Sequence, residues 1–89
     1  MRYQSPADFC AEYTKAHSRP ETHAFGESSL EDVTVVSETP DTARVEALWF
    51  SWAVDPDSGY GDVFERTAFV LVKRSDGWRL HSEEFLGYE

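Results

Sequence analysis

The chain has 89 residues and a formal charge of −9, with 17 carboxylates against 8 Lys and Arg. That length holds one domain, residues 1–89, which buries only about 60–65% of its unfolded surface. The charge argues against unaided binding to nucleic acid or to an anionic membrane, whose phosphates need basic groups; it permits a basic protein partner, steered in by the field, and equally serves solubility or adaptation to salt.

A first helix is expected from Ser5-Pro6-Ala7-Asp8. Ser5 is an N-cap, Pro6 suits the first helical position, and Asp8 sits where a capping-box acid belongs. Phe9, Tyr13 and Ala16 recur at helical spacing, with Cys10 and His17 beside them. The helix ends near His17 or Ser18, since the residue before Pro20 resists helical angles. A helix of about 12 residues is marginal alone in water, so it must dock on something. Cys10 is the only cysteine. It has no internal disulfide partner, which favours a reducing compartment. No apolar run approaches about 18 residues and no leader pattern stands at the start. The expectation is a soluble, cytoplasmic protein.

Arg19 to Ser29 is the least readable stretch, and His23-Ala24-Phe25 suggests a short helical turn. A first strand is expected from about Leu30 to Glu38, with Val33 and Val35 alternating. Thr39-Pro40-Asp41-Thr42 is a turn. The second strand runs from Ala43 to Val54. Its apolar parity changes along its length: Val45 and Ala47 first, then Leu48, Phe50, Trp52 and Val54. Either a bulge flips the strand or both its faces become buried. Asp55 to Asp62 reads as a long loop. A third strand follows from about Val63 to Arg74, a tight turn at Arg74-Ser75-Asp76-Gly77, and a fourth strand from about Trp78 to Leu86. Pairing Lys73 with Trp78 puts Phe69, Leu71, Trp78 and Leu80 on one face, a seat for Phe9 and Tyr13. Arg79, His81 and Glu83 share the other. The fold class is therefore α+β, an N-terminal helix on a curved four-stranded antiparallel meander. One short helix cannot cover both faces. The bare face, with Val70, Val72 and Phe85, is expected to bind a partner or a second copy.

The hairpin Phe69-Val70-Leu71-Val72-Lys73-Arg74-Ser75-Asp76-Gly77-Trp78-Arg79-Leu80, after a helix and a strand pair, resembles the NTF2-like (cystatin-like α+β roll) superfamily. The likeness covers roughly the second half of the chain. It implies a truncated version of that roll, because members usually carry more helix before the sheet. The superfamily includes isomerases, dehydratases, cyclases, transport adaptors and immunity proteins that neutralise bacterial toxins, so the fold alone does not choose a function.

The residues show no catalytic set, no metal site and no cofactor cradle. His81 with Glu83 has the chemistry of an acid–base pair, but reads first as a solvated charge patch. Asp55, Asp57 and Asp62 supply oxygen ligands without EF-hand spacing. With Tyr60 beside them, they read instead as an acidic loop able to follow a basic cleft. Trp49 and Trp52 have opposite parity, so one should face away from the helix. The expected function is a non-enzymatic, acidic protein-binding module, of which an immunity protein against a basic toxin is one form. The alternatives are a small pocket enzyme of the isomerase or cyclase type, and a phage or plasmid inhibitor mimicking nucleic-acid charge.

Overall fold

The computed structural model describes residues 2–89. Helix α1 spans Pro6–Ala16 with Ser5 as N-cap and His17 as C-cap. The Asp8 amide donates to Ser5 Oγ at 3.0 Å, and the Gln4 amide donates to Asp8 Oδ2 at 3.0 Å. One amide that the helix start leaves open, that of Asp8, is thus satisfied, and Asp8 in return ties down the residue before the N-cap, a variant of the capping box.

Among the described residues, five strands follow: β1 (Glu21–Thr22), β2 (Gly26–Glu38), β3 (Thr42–Asp55), β4 (Gly59–Arg74) and β5 (Gly77–Tyr88). They form one antiparallel sheet in sequence order. The sequence reading of one helix on an antiparallel meander therefore stands, with a correction from four strands to five. The added strand, β1, lies in the stretch that suggested a helical turn. His23-Ala24-Phe25 instead joins β1 to β2, with the His23 amide donating to the Gly26 carbonyl at 2.8 Å. Gly26 fits there because a Cβ would stand 1.9 Å from the Trp52 carbonyl oxygen on β3. The Lys73–Trp78 pairing is present. Gly77 closes that hairpin at φ +128°, a region that side chains resist.

Pairing of β3 with β4 is unbroken from Thr42↔Val72 to Asp55↔Gly59. No bulge flips β3, so its two parities hold opposite faces throughout. Ala43, Val45, Ala47 and Trp49 face α1, and Arg44, Glu46, Leu48, Phe50, Trp52 and Val54 face outward. Breaks in register fall on its neighbours, in β2 near Glu31 and Val36 and in β5 near His81 and Leu86. Those in β5 matter for function. The break at His81 reverses side-chain parity, so Glu83 pairs with Phe69 on the helix face while Arg79 pairs with Val72 on the outer face.

The core is apolar and lies at one end. Phe9 packs against Val45, Ala47, Phe69, Leu71, Ala43 and Trp78, all 5% exposed or less. Among the described residues no polar or charged side chain is buried. Tyr3 adds an edge to this end: it exchanges two 2.8 Å backbone bonds with Trp78 and meets the Phe9 ring edge-on at 5.0 Å. Leu71 and Val45 are fully buried, each contributing about 1.5–3 kcal/mol.

An 11-residue helix rises about 16 Å, while a 14-residue strand such as β3 spans about 47 Å. The cover therefore ends near Trp49. Principal extents are 53 × 21 × 16 Å and the radius of gyration is 15.3 Å, against about 12 Å for a compact chain of this size. We call the covered end the root and the bare end the tip.

Phe9 touches Tyr13 and Phe69 at ring distances of 6.0 and 5.3 Å and is 3% exposed. Phe9→Ala is expected to cost about 3–5 kcal/mol, a large part of a small domain's stability. A urea midpoint unchanged from wild type would show that α1 is not docked through Phe9.

Candidate functional site

Beyond the end of α1, the helix face of the sheet is floored by Ser51 and Ala53 of β3 and Gly61 and Val63 of β4. With β1 as one wall they form an open trough of about 660 Å³, bordered also by Glu21, His23, Ser28 and Glu65. Small floor residues let another chain approach the sheet closely. The wall is pinned by a polar chain, His23 Nε2 to Ser28 Oγ at 2.8 Å and Ser28 Oγ to Ser51 Oγ at 2.7 Å. His23 and Ser28 have the separation of a base and a nucleophile. Both ends of the chain hold β1 against the sheet, and among the described residues no carboxylate orients the other ring nitrogen.

Aromatic packing holds the helix end against this trough. Trp49 Nε1 donates to Tyr13 Oη at 3.2 Å, and His17 stands over Tyr13 and Trp49 at ring distances of 4.4 and 5.3 Å. His17 Nδ1 lies 3.4 Å from Glu21. Burial raises the Tyr13 hydroxyl pKa; the Trp49 hydrogen bond opposes this, and Glu83 and Glu21 add to it. Those two carboxylates, with Glu65 on the floor side, make the open helix face acidic. The C-terminal end of α1, with its partial negative charge, adds to the same field.

The outer face differs. At the tip, Trp52 stacks on Tyr60 at 6.3 Å, and Phe50 meets Phe64 at 5.1 Å. Tyr60 donates to Asp62 Oδ2 at 3.1 Å. The middle of the face holds a charge network: Arg44 Nε to Glu46 at 3.1 Å, Arg66 to Glu46 at 3.4 Å, and Arg66 to Glu89 at 2.7 and 3.2 Å. Val70 and Val72, half-buried, follow toward the root.

The expected partner-binding residues are thus divided. Tyr60 and Asp62 stand on a strand rather than a loop, because β3 runs to Asp55 and β4 restarts at Gly59. The long loop is corrected to the tight turn Pro56-Asp57-Ser58. Asp55 is occupied in shaping it, accepting from the Asp57 and Ser58 amides at 2.7 and 3.2 Å; Asp57 is exposed at its apex. Val70 and Val72 lie on the outer face as expected. Phe85 does not: it pairs with Thr67 on the helix face, where it meets Tyr88 edge-on at 5.2 Å. His81 and Glu83 are separated by the same parity reversal, and Leu80 is 44% exposed because α1 lies over β2 and β3 rather than β5. Trp49 faces the helix and Trp52 faces away. Sequence reasoning missed the trough, since its signal was only a run of small residues at alternate positions.

Among the described residues no three His, Cys, Asp or Glu side chains converge as for a metal ion. No helix there is long and apolar enough to cross a membrane. Burial, and then the nearby Asp32 carboxylate, push the Cys10 thiol up, which makes it a poor nucleophile at neutral pH. No family model, curated protein or solved structure matches the chain.

The Asp55 carboxyl is held below its ordinary value of 3.8, chiefly by the Asp57 and Ser58 amides. A depressed folded value contributes stability above the unfolded pKa, lost as pH falls through the folded one. Titration of Asp55 by NMR is expected to show a midpoint below 3.8, with the turn loosening as it protonates. A midpoint at or above that value would show that the turn does not use the carboxylate.

Proposed function

We propose that this chain is a non-enzymatic protein-binding module whose acidic helix face receives a basic protein. An immunity protein occluding a basic toxin is the form of that reading which also agrees with the NTF2-like, cystatin-like resemblance. Support for the fold reading comes from the helix-then-meander order and the Lys73–Trp78 hairpin. One observation carries the functional reading: the trough beyond α1 joins a floor of small residues to the carboxylates Glu21 and Glu65. A basic side chain entering along that floor meets carboxylates and the negative end of a helix together. Space between helix and sheet, where a pocket enzyme would need a polar pair, is filled by Phe9, Val45, Phe69 and Leu71. Asp57, exposed at the tip turn and off the trough, then acts in encounter, through an attraction that physiological salt screens beyond about 8 Å.

A basic peptide of ten arginines serves as probe. Chemical shifts of Ser51, Ala53, Gly61 and Val63 are expected to move on its addition. Charge reversal at the trough (Glu21→Lys with Glu65→Lys) is expected to weaken binding at least tenfold. The same charge change placed remotely (Glu38→Lys with Asp41→Lys) is expected to alter it far less. Equal losses in the two variants would mean that only net charge matters, and would overturn the trough as the site.

A further inference from the structure

The outer face has a different charge character from the rest of the molecule. Register places Arg44, Arg66, Arg74 and Arg79 on it, half of the chain's 8 Lys and Arg. Against them stand Glu27, Asp32, Glu46, Asp62 and Glu84, with Glu89 on Arg66. With four arginines answering six carboxylates, the face is only weakly acidic on a chain of −9, so a strongly basic partner gains less from docking there than on the helix face. The charges are also sorted by position. Glu27 and Asp62 flank Trp52 at the tip, while Arg44, Arg74 and Arg79 flank Val70 and Val72 at the root, Arg79 being paired with Asp76. Arg44 uses Nε on Glu46, and among the described residues its two terminal nitrogens have no hydrogen-bond partner.

From this sorting we infer that the outer face packs on the outer face of a second copy, tip over root. Two-fold related sheets can meet in two ways. An axis running along the strands sets tip on tip, bringing Glu27 and Asp62 of both copies together and the arginines together. An axis running across the strands sets each acidic, aromatic tip on the other copy's root, twice by symmetry. Charge complementarity selects the second. With the axis near Leu48, midway along β3, Trp52 lies over Arg44 of the second copy, with Glu27 and Asp62 on either side. Arginine then meets an indole face and two carboxylates. Tyr60 lies over Val72 of the second copy. Four long strands spaced about 4.8 Å apart and each about 47 Å long give a face of about 900 Å². That reaches the roughly 800 Å² per partner of a standard interface. The inference is independent of the proposed function, which uses the opposite face.

Sedimentation equilibrium is expected to give about twice the chain mass of 10.2 kDa. Arg44→Glu is expected to weaken the dimer at least tenfold, and adding Glu27→Lys and Asp62→Lys to restore it. Cross-linking with a bis-maleimide of about 10 Å reach, the spacing of sheets stacked face to face, in a Cys10→Ser background reads the geometry, with circular dichroism confirming that each variant folds. Leu48→Cys, near the axis, is expected to link the two copies. Val54→Cys is expected not to link, since tip over root leaves those positions about 40 Å apart. A wild type that stays monomeric overturns the inference, even if its outer face binds another protein. Linking through Val54→Cys, or none through Leu48→Cys, overturns the tip-over-root arrangement.

Discussion

A short helix lying on long strands is the constraint from which the rest follows. α1 offers one apolar flank of 11 residues, and β4 alone has 16. Burial can proceed only as far as that flank reaches. Phe9 and Tyr13 seat on Phe69, Trp49 closes the helix end, and past that point the sheet continues without cover. A larger protein would lay a second helix there. This one retains a bare tip, held by the β-ladder, by the Trp52–Tyr60 and Phe50–Phe64 pairs, and by the tie of Arg66 to Glu46 and Glu89. Ion pairs this exposed contribute little each, so the tip depends on strand pairing and aromatic contact.

The two faces of that tip are chemically unlike. Toward the helix the floor is small and the rim acidic, which suits a cation or a basic chain brought close to the backbone. Outward the face is aromatic and only weakly acidic, with acid at the tip and arginine toward the root, which suits its own copy reversed. Both characters come from β3 keeping strict alternation over its whole length. A bulge in β3 would have carried Phe50 and Trp52 to the helix side, filled the trough, and left a polar outer face.

Much of this was legible in the residues. Ser5, Pro6 and Asp8 mark a helix start by local hydrogen bonding, which needs no tertiary context. Gly77 and the alternation on either side of it mark a hairpin for the same reason. The opposed parities of Trp49 and Trp52 already implied two differently used faces. What escaped was non-local. β1 is two residues long and pairs only Glu21 and Thr22 with β2, while Gly26 lets β2 lie close to β3, fits that only the partner strands reveal. The breaks at His81 and Leu86 carry no glycine or proline of their own; Gly87, at φ +113°, follows the second. A single extra residue there reverses every later side chain, which moved Phe85 and Glu83 to the face opposite the one expected. The Asp55–Asp62 stretch looked like a loop by composition, yet the chain turns within Pro56-Asp57-Ser58, held by Asp55 and by Gly59 at φ +88°, and Tyr60 and Asp62 pair as strand.

Native-state hydrogen exchange on protein dilute enough to be monomeric tests most directly whether the helix protects only the root. Amides that open only by global unfolding mark the cooperative core, and locally opening ones mark the rest. Protection is expected to be greatest at Val45, Ala47 and Leu71, and to fall along β3 and β4 past Trp49, so that Ser51, Ala53 and Val63 exchange by local opening. Equal protection from Val45 to Ala53 would contradict it, since the tip would then be part of one uniformly stabilised core.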